Sequence, residues 1–187
     1  MRLILASASP RRAELLRAAG YTFDVVVADV DESIRPGESP SIYVRRLAAE
    51  KSAAAMRGGD VIVLGADTAV VVDGAILGKP RDDDEGRDML RRLSGKPHQV
   101  MTGVSLRQGA FEVGRVETTE VVFRALTEQD IAWYVASGEG RDKAGGYASQ
   151  GLASRFIPTI SGSYSNVVGL PVACVDELLR SVLASKV

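Results

Sequence analysis

The sequence has 187 residues, of which 45% are hydrophobic and 25% charged, and carries a net charge of −1 at pH 7. This suits one well-packed domain over residues 1–187, with room for two lobes, and the near-neutral balance argues against long nucleic acid as a partner. No apolar run resembles a membrane span or a secretory leader, and Cys174 is the only cysteine, which excludes an intrachain disulfide and fits a cytoplasmic protein.

The chain opens on Leu3-Ile4-Leu5-Ala6, a short apolar run that reads as a buried strand. Ser9 and Pro10 then suit an N-cap and first helical position, Leu15, Leu16 and Ala19 recur at helical spacing, and Gly20 is a natural stop. Arg11 and Arg12 fall in the first turn of this helix, where the helix dipole favours anions. Two guanidiniums there, with the hydroxyls of Ser7 and Ser9 and free backbone N–H groups, make a phosphate cradle; two solvated arginines on a surface helix are the plainer alternative. Tyr21-Thr22-Phe23-Asp24-Val25-Val26-Val27 reads as a second strand with Tyr21, Phe23 and Val25 on one side, leading into an acidic loop that contains Asp31 and Glu32.

Ser39 and Pro40 repeat the cap-plus-proline start, and a helix is expected over 40–56. Its stripe of Tyr43, Val44, Leu47 and Ala48 is prolonged by Lys51, which either snorkels or reaches a ligand from the edge of the core. Gly58-Gly59 breaks the helix. The run 60–74 then reads as two buried strands, or one bent strand, with Asp67 in its middle. An unpaired carboxylate in apolar surroundings is costly, so Asp67 requires partners. It either caps a turn at Gly65-Ala66 or has a functional role, and its apolar flanks favour the latter.

Asp73-Gly74 is a hairpin turn, Lys79 lies in a Gly-Lys-Pro loop, and Asp82, Asp83 and Asp84 open a helix with Met89, Leu90 and Leu93 on its apolar face. His98 is the only histidine, which excludes a multi-histidine metal site and suits a structural role. Two antiparallel strands are expected over 99–106 and 112–124, then a helix capped by Thr127 and Asp130. A glycine-rich loop over 141–151, a strand over 152–157, a second loop over 161–171 and a last helix over 172–183 complete the reading.

The chain lacks the GxxxxGK[ST] phosphate loop, GxSxG, HExxH and a usable Cys/His pair. Carboxylates Glu32 and Asp67, with Arg11, Arg12, Lys51 and Lys79 and no strong nucleophile, suit attack of water on a phosphate ester or anhydride assisted by a hard divalent cation.

Ser7-Ala8-Ser9-Pro10-Arg11-Arg12, Asp31-Glu32, Ala49-Glu50-Lys51, Gly65-Ala66-Asp67-Thr68, Gly78-Lys79-Pro80, Asp142-Lys143-Ala144-Gly145 and Gly169-Leu170-Pro171, in this order, resemble the Maf family of nucleotide pyrophosphatases over nearly the whole chain. The resemblance implies an α/β fold like that of the inosine triphosphatase (Maf/Ham1) group, with a long mixed sheet, flanking helices and a cleft between two lobes. It implies hydrolysis of a nucleoside triphosphate to the monophosphate and pyrophosphate with Mg²⁺ or Mn²⁺, in a cytoplasmic protein that is commonly a homodimer. Arg11, Thr68 and Gln150 match the class that acts on the pyrimidine nucleotides dTTP and UTP, and would read the base. By the same resemblance Asp67 activates water and, with Glu32, holds the metal, while Ser7, Arg12, Lys51 and Lys79 hold phosphates. Two alternatives stay open: the same fold acting on another nucleotide, and a nucleotide-binding regulator of septum formation.

Overall fold

The computed structural model describes residues 2–58 and 60–184. The strands are β1 (Arg2–Ala6), β2 (Asp24–Val25), β3 (Val61–Val72), β4 (Ala75–Leu77), β5 (Pro97–Gln108), β6 (Phe111–Val122) and β7 (Thr159–Ser161). The helices are α1 (Pro10–Ala18), α2 (Pro40–Ala54), α3 (Asp83–Leu93), α4 (Glu128–Ala136), α5 (Tyr164–Val168) and α6 (Val172–Ala184). Among the described residues the strands form one mixed sheet in the order β2-β1-β3-β5-β6-β7, with β4 on β3. β1 runs parallel to β2 and β3, whereas β3–β4 and β6–β7 are antiparallel. The chain divides into two compact units, one from residues up to Thr68, Thr102–Glu117 and residues from Gly169 on, the other from Ala69–Met101 and Thr118–Val168.

In the first unit β1 is buried on both faces, which is why it reads as an unbroken apolar run. Leu3 and Leu5 pack with Leu16 of α1 and Val175 and Leu179 of α6, whereas Ile4 and Ala6 pack with Val61 and Val63 on the other face. Each fully buried leucine side chain here contributes roughly 1.5–3 kcal/mol of transfer free energy. The expected second strand shrinks to the two residues of β2, because among the described residues it pairs with β1 alone, at Ile4↔Asp24 and Leu5↔Val25, and β1 ends at Ala6. Tyr21 and Phe23 still pack on the core, but Val25 is exposed and does not share their side.

Two strand glycines let α2 lie against the sheet. A Cβ on Gly65 of β3 would sit 2.1 Å from the Ala48 carbonyl oxygen, and one on Gly103 of β5 would sit 2.1 Å from that of Val44. Any side chain at either position pushes the helix off. Gly65→Ala is therefore expected to destabilise the protein by about 2–3 kcal/mol, the cost of overpacking against backbone. Thermal melts check this, and an unchanged melting temperature would mean that α2 has room to move. After α2, Gly58 has φ +78°; Gly59, the other half of the expected break, lies outside the described residues.

In the second unit Val70, Leu90, Leu93, Phe123, Ile131 and Phe156 share one core. Local signals behave as their chemistry requires. Asp82 caps α3 by accepting from the Glu85 N–H, Thr127 and Asp130 form a reciprocal capping box on α4, and Asp73-Gly74 turns with φ of +51° and +75°, both left-handed. His98 is buried, with Nε2 2.8 Å from the Tyr147 hydroxyl and Phe123 edge-on, and burial pushes its pKa down to about 4. The residues 152–157, expected as a strand, instead form a 3-10 turn, Leu152–Phe156. Its buried side chains Ala153 and Phe156 stand three apart, which is the period of that helix and not of a strand. Among the described residues no helix is long and apolar enough to cross a membrane.

Candidate active site

The site residues of the first unit are brought together by register. β1 pairs with β3 so that Ala6 lies beside Gly65, and Ser7 and the start of α1 follow next to Ala66, Asp67 and Thr68. Alternation puts Asp67 on the same face of β3 as Gly65, the face that α2 covers. Lys51 lies one helical turn beyond Ala48, the residue whose carbonyl abuts Gly65, so the close approach of α2 delivers its ammonium to Asp67.

Lys51 Nζ lies 2.6 Å from Asp67 Oδ1 and 2.6 Å from Glu32 Oε1. Lys51 and Asp67 are both buried, whereas Glu32 approaches from an exposed loop. That loop is fastened to α2: the Tyr43 hydroxyl donates to the Glu32 carbonyl at 3.0 Å and Arg46 donates to the Ser33 carbonyl at 3.0 Å. Arg46 also forks onto Glu38 and holds its carboxyl down to about 2. Burial raises the pKa of Asp67, while the charges of Lys51 and Arg12 pull it back. The result is a carboxylate easier to protonate than an ordinary aspartate, held charged by two cations.

Arg12 is the second centre. It is buried, and four of its five guanidinium N–H groups are committed. Nε donates to the Gly169 carbonyl at 2.8 Å, Nη1 to Ser7 Oγ at 3.1 Å and the Ala66 carbonyl at 2.9 Å, and Nη2 to Thr68 Oγ1 at 3.0 Å. Burial lowers its pKa, and the charges of Asp67 and Glu32 oppose this. Thr68 Oγ1 also lies 2.9 Å from Thr102 Oγ1 and 3.2 Å from the Gly169 carbonyl. Gly169, with φ +129°, presents that carbonyl from the loop before α6.

Arg11 is half-buried in the first turn of α1, which contains no acidic residue, and makes no hydrogen bond or ion pair among the described residues. Ser9 stands at the N-cap with no side-chain bond to the helix, and its own N–H donates to Ser7 Oγ at 3.2 Å. The first unit thus gathers Ser7, Arg11, Arg12, Glu32, Lys51, Asp67 and Thr68. Lys79 and Gln150 belong to the second unit, and both are exposed. The loop of Lys79 is held by the Gly145 N–H, which donates to the Gly78 carbonyl at 2.9 Å.

Sequence reasoning missed Thr102 and the carbonyls of Ala66 and Gly169. Main-chain acceptors have no residue signature, so only the left-handed glycine at 169 could have hinted at them.

The α/β fold is that of the Ham1 proteins. The Ham1 protein of Staphylococcus aureus matches with a TM-score of 0.53 at 15% identity over 100% of both chains, and that of Coxiella burnetii with 0.52 at 15% over 99% of both. Within that fold, the family model described as "Maf-like protein" matches residues 2–182, and the chain belongs to this family. Curated relatives of this chain bear the name dTTP/UTP pyrophosphatase. That of Anaeromyxobacter dehalogenans (strain 2CP-C) is 52% identical, over 96% of this chain and 93% of its own length. That of Escherichia coli O157:H7 is 51% identical over 96% and 92%, and that of Vibrio cholerae serotype O1 is 50% identical over 96% and 97%.

Proposed function

We propose that this protein hydrolyses dTTP and UTP to the nucleoside monophosphates and pyrophosphate. The observation that carries the reading is Asp67, a carboxylate buried within β3 and flanked by Lys51 and Arg12. It is a base able to take a proton from water, set where cations can meet phosphate charge. The names of relatives at about half identity over nearly the whole chain support the substrates.

In this reading Asp67 accepts a proton from water as its oxygen attacks phosphorus. A new P–O bond forms, the phosphoanhydride bond breaks, and pyrophosphate leaves with the electron pair. Ser7, Arg12, Lys51 and Lys79 bind phosphates, Arg12 through its one uncommitted N–H. Glu32 and Asp67 fit a divalent cation such as Mg²⁺ or Mn²⁺. Their oxygens converge on one point, now held by the Lys51 ammonium, and Mg²⁺ typically uses one or two carboxylates with substrate phosphates. Such an ion would neutralise charge developing on the phosphates. Arg11, Thr68 and Gln150 read the base. A glutamine amide can accept from pyrimidine N3–H and donate to a ring carbonyl, which an ionised glutamate cannot do. The same reading takes the protein as a cytoplasmic homodimer, as its family resemblance implies.

A hydrolysis panel tests the proposal: dTTP, UTP, CTP, GTP, ATP and 7-methyl-GTP with Mg²⁺ or Mn²⁺, following pyrophosphate and orthophosphate separately. Pyrophosphate from dTTP and UTP, at least about tenfold faster than from the others, is expected from one well-made set of base hydrogen bonds. Equal rates across bases would end the specificity reading, and orthophosphate alone would end the proposed bond cleavage.

A further inference from the structure

Gln150 is exposed, yet the three residues before it, Tyr147, Ala148 and Ser149, are buried. The turn that carries Gln150 is therefore anchored, and the anchors can be named. The Tyr134 hydroxyl on α4 accepts from the Ala148 N–H at 3.0 Å. Glu139, just past the end of α4, accepts from the Leu152 N–H through Oε1 at 2.9 Å. Between these two bonds the chain closes on itself, with the Gly151 N–H donating to the Ala148 carbonyl at 3.1 Å.

The carboxylate also sets the shape of the turn. A Cβ on Gly151 would sit 2.0 Å from Glu139 Oε1, so the backbone beside Gln150 rests directly on that oxygen. Glu139 Oε2 is buried and takes no hydrogen bond among the described residues. Burial, and beyond it the Glu139 carboxylate, raises the pKa of the Tyr134 phenol, so its hydroxyl stays protonated at neutral pH. No other side chain accepts a hydrogen bond from the backbone of 150–152 among the described residues.

We infer that Glu139 is a positioning residue for base recognition: its carboxylate fixes the turn over 148–152 and so presents the Gln150 amide to the pyrimidine. The inference rests on the reading of Gln150 as a base-contacting residue. Glu139 acts on the base and not on the triphosphate, which gives it a kinetic signature that general destabilisation does not share.

The test compares Glu139→Ala, Glu139→Gln and Gln150→Ala in the full chain. It measures kcat and KM for dTTP and CTP, and competitive inhibition by inorganic tripolyphosphate, which has no base. Glu139→Ala should raise KM for dTTP about tenfold and reduce the preference for dTTP over CTP, with kcat within about twofold, as expected for a lost charge-assisted hydrogen bond. Tripolyphosphate inhibition should not move. Glu139→Gln keeps an acceptor for the Leu152 N–H and should restore KM to within about threefold. Should Glu139→Ala not fold, Glu139→Asp, too short to reach Leu152, takes its place with the same expected pattern. The inference is overturned if kcat falls with KM unchanged, if tripolyphosphate inhibition weakens in step with KM, or if glutamine fails to rescue. The base-reading assignment is judged separately. If Gln150→Ala leaves the preference for dTTP intact, that assignment falls and this inference with it. If Gln150→Ala erodes the preference and Glu139→Ala does not, only the positioning role falls.

Discussion

Asp67→Asn is expected to lower kcat for dTTP and UTP by about 10²–10⁴-fold, the usual contribution of a positioned general base. The substitution keeps shape and volume and removes only the charge and the proton-accepting power. Lys51 is not stranded by it, since Glu32 Oε1 lies as close to Nζ as Asp67 does, at 2.6 Å. Loss of one partner for Lys51 is offset by relief of a buried carboxylate whose charging the fold opposes. The melting temperature should therefore stay within about 4 °C of the parent, equivalent to roughly 1–2 kcal/mol in a domain of this size.

The pH dependence follows from the same burial. Asp67 has a raised pKa in the folded protein, so the deprotonated form that the proposed base role requires is lost as pH falls through a value above the ordinary 3.8. The acid limb of kcat should lie above the ordinary aspartate value. For stability the sign is reversed: a raised carboxylate pKa means that charging costs the folded state. That cost is absent below the unfolded pKa and fully present above the folded one. Activity loss on acidification should therefore begin before unfolding. Initial rates and melts across pH check both, and a variant that keeps parental kcat would remove Asp67 from the chemistry.

Arg12→Ala is expected to cost about 3–5 kcal/mol of unfolding free energy, the penalty for breaking a buried, hydrogen-bonded charge. The guanidinium joins α1, β3 and the loop before α6 through Ser7, Ala66, Thr68 and Gly169. Without it the carbonyls of Ala66 and Gly169 each lose a buried donor. Arg12→Lys should recover little, because an ammonium cannot present N–H groups along the four directions that the planar fork reaches. Urea denaturation with an unchanged m-value would confirm a native-state effect. A loss below about 1 kcal/mol would instead mean that Arg12 is held for ligand and contributes little to the scaffold.

Much of the architecture is legible because its signals are local. Ser39, Asp82 and Thr127 each cap the helix that follows with their own side-chain oxygen. Asp73-Gly74 reverses the chain with two left-handed residues. The failures occur where local pattern and tertiary pairing diverge. The segment 21–27 alternates like a strand, but β1, its one partner among the described residues, stops after five residues. Residues 152–157 read as a strand, yet Gly151 is already fastened beside Glu139, and the chain coils from there.

The candidate site divides in the same way. The sequence by itself determined which groups are unusual: arginines in a helix start that disfavours cations, a carboxylate inside an apolar run, and a lysine on a buried stripe. These stand out because burial or placement of a charge is costly, and a cost without local compensation is visible in one dimension. Only the tertiary structure decided how the costs are met. Lys51 lies on Asp67 because Gly65 and Gly103 admit α2 to the sheet, and Arg12 is satisfied by carbonyls 54 and 157 residues away. Close packing and main-chain acceptors are made by residues distant in sequence, and a carbonyl is common to every residue, so their meeting is written only in the fold.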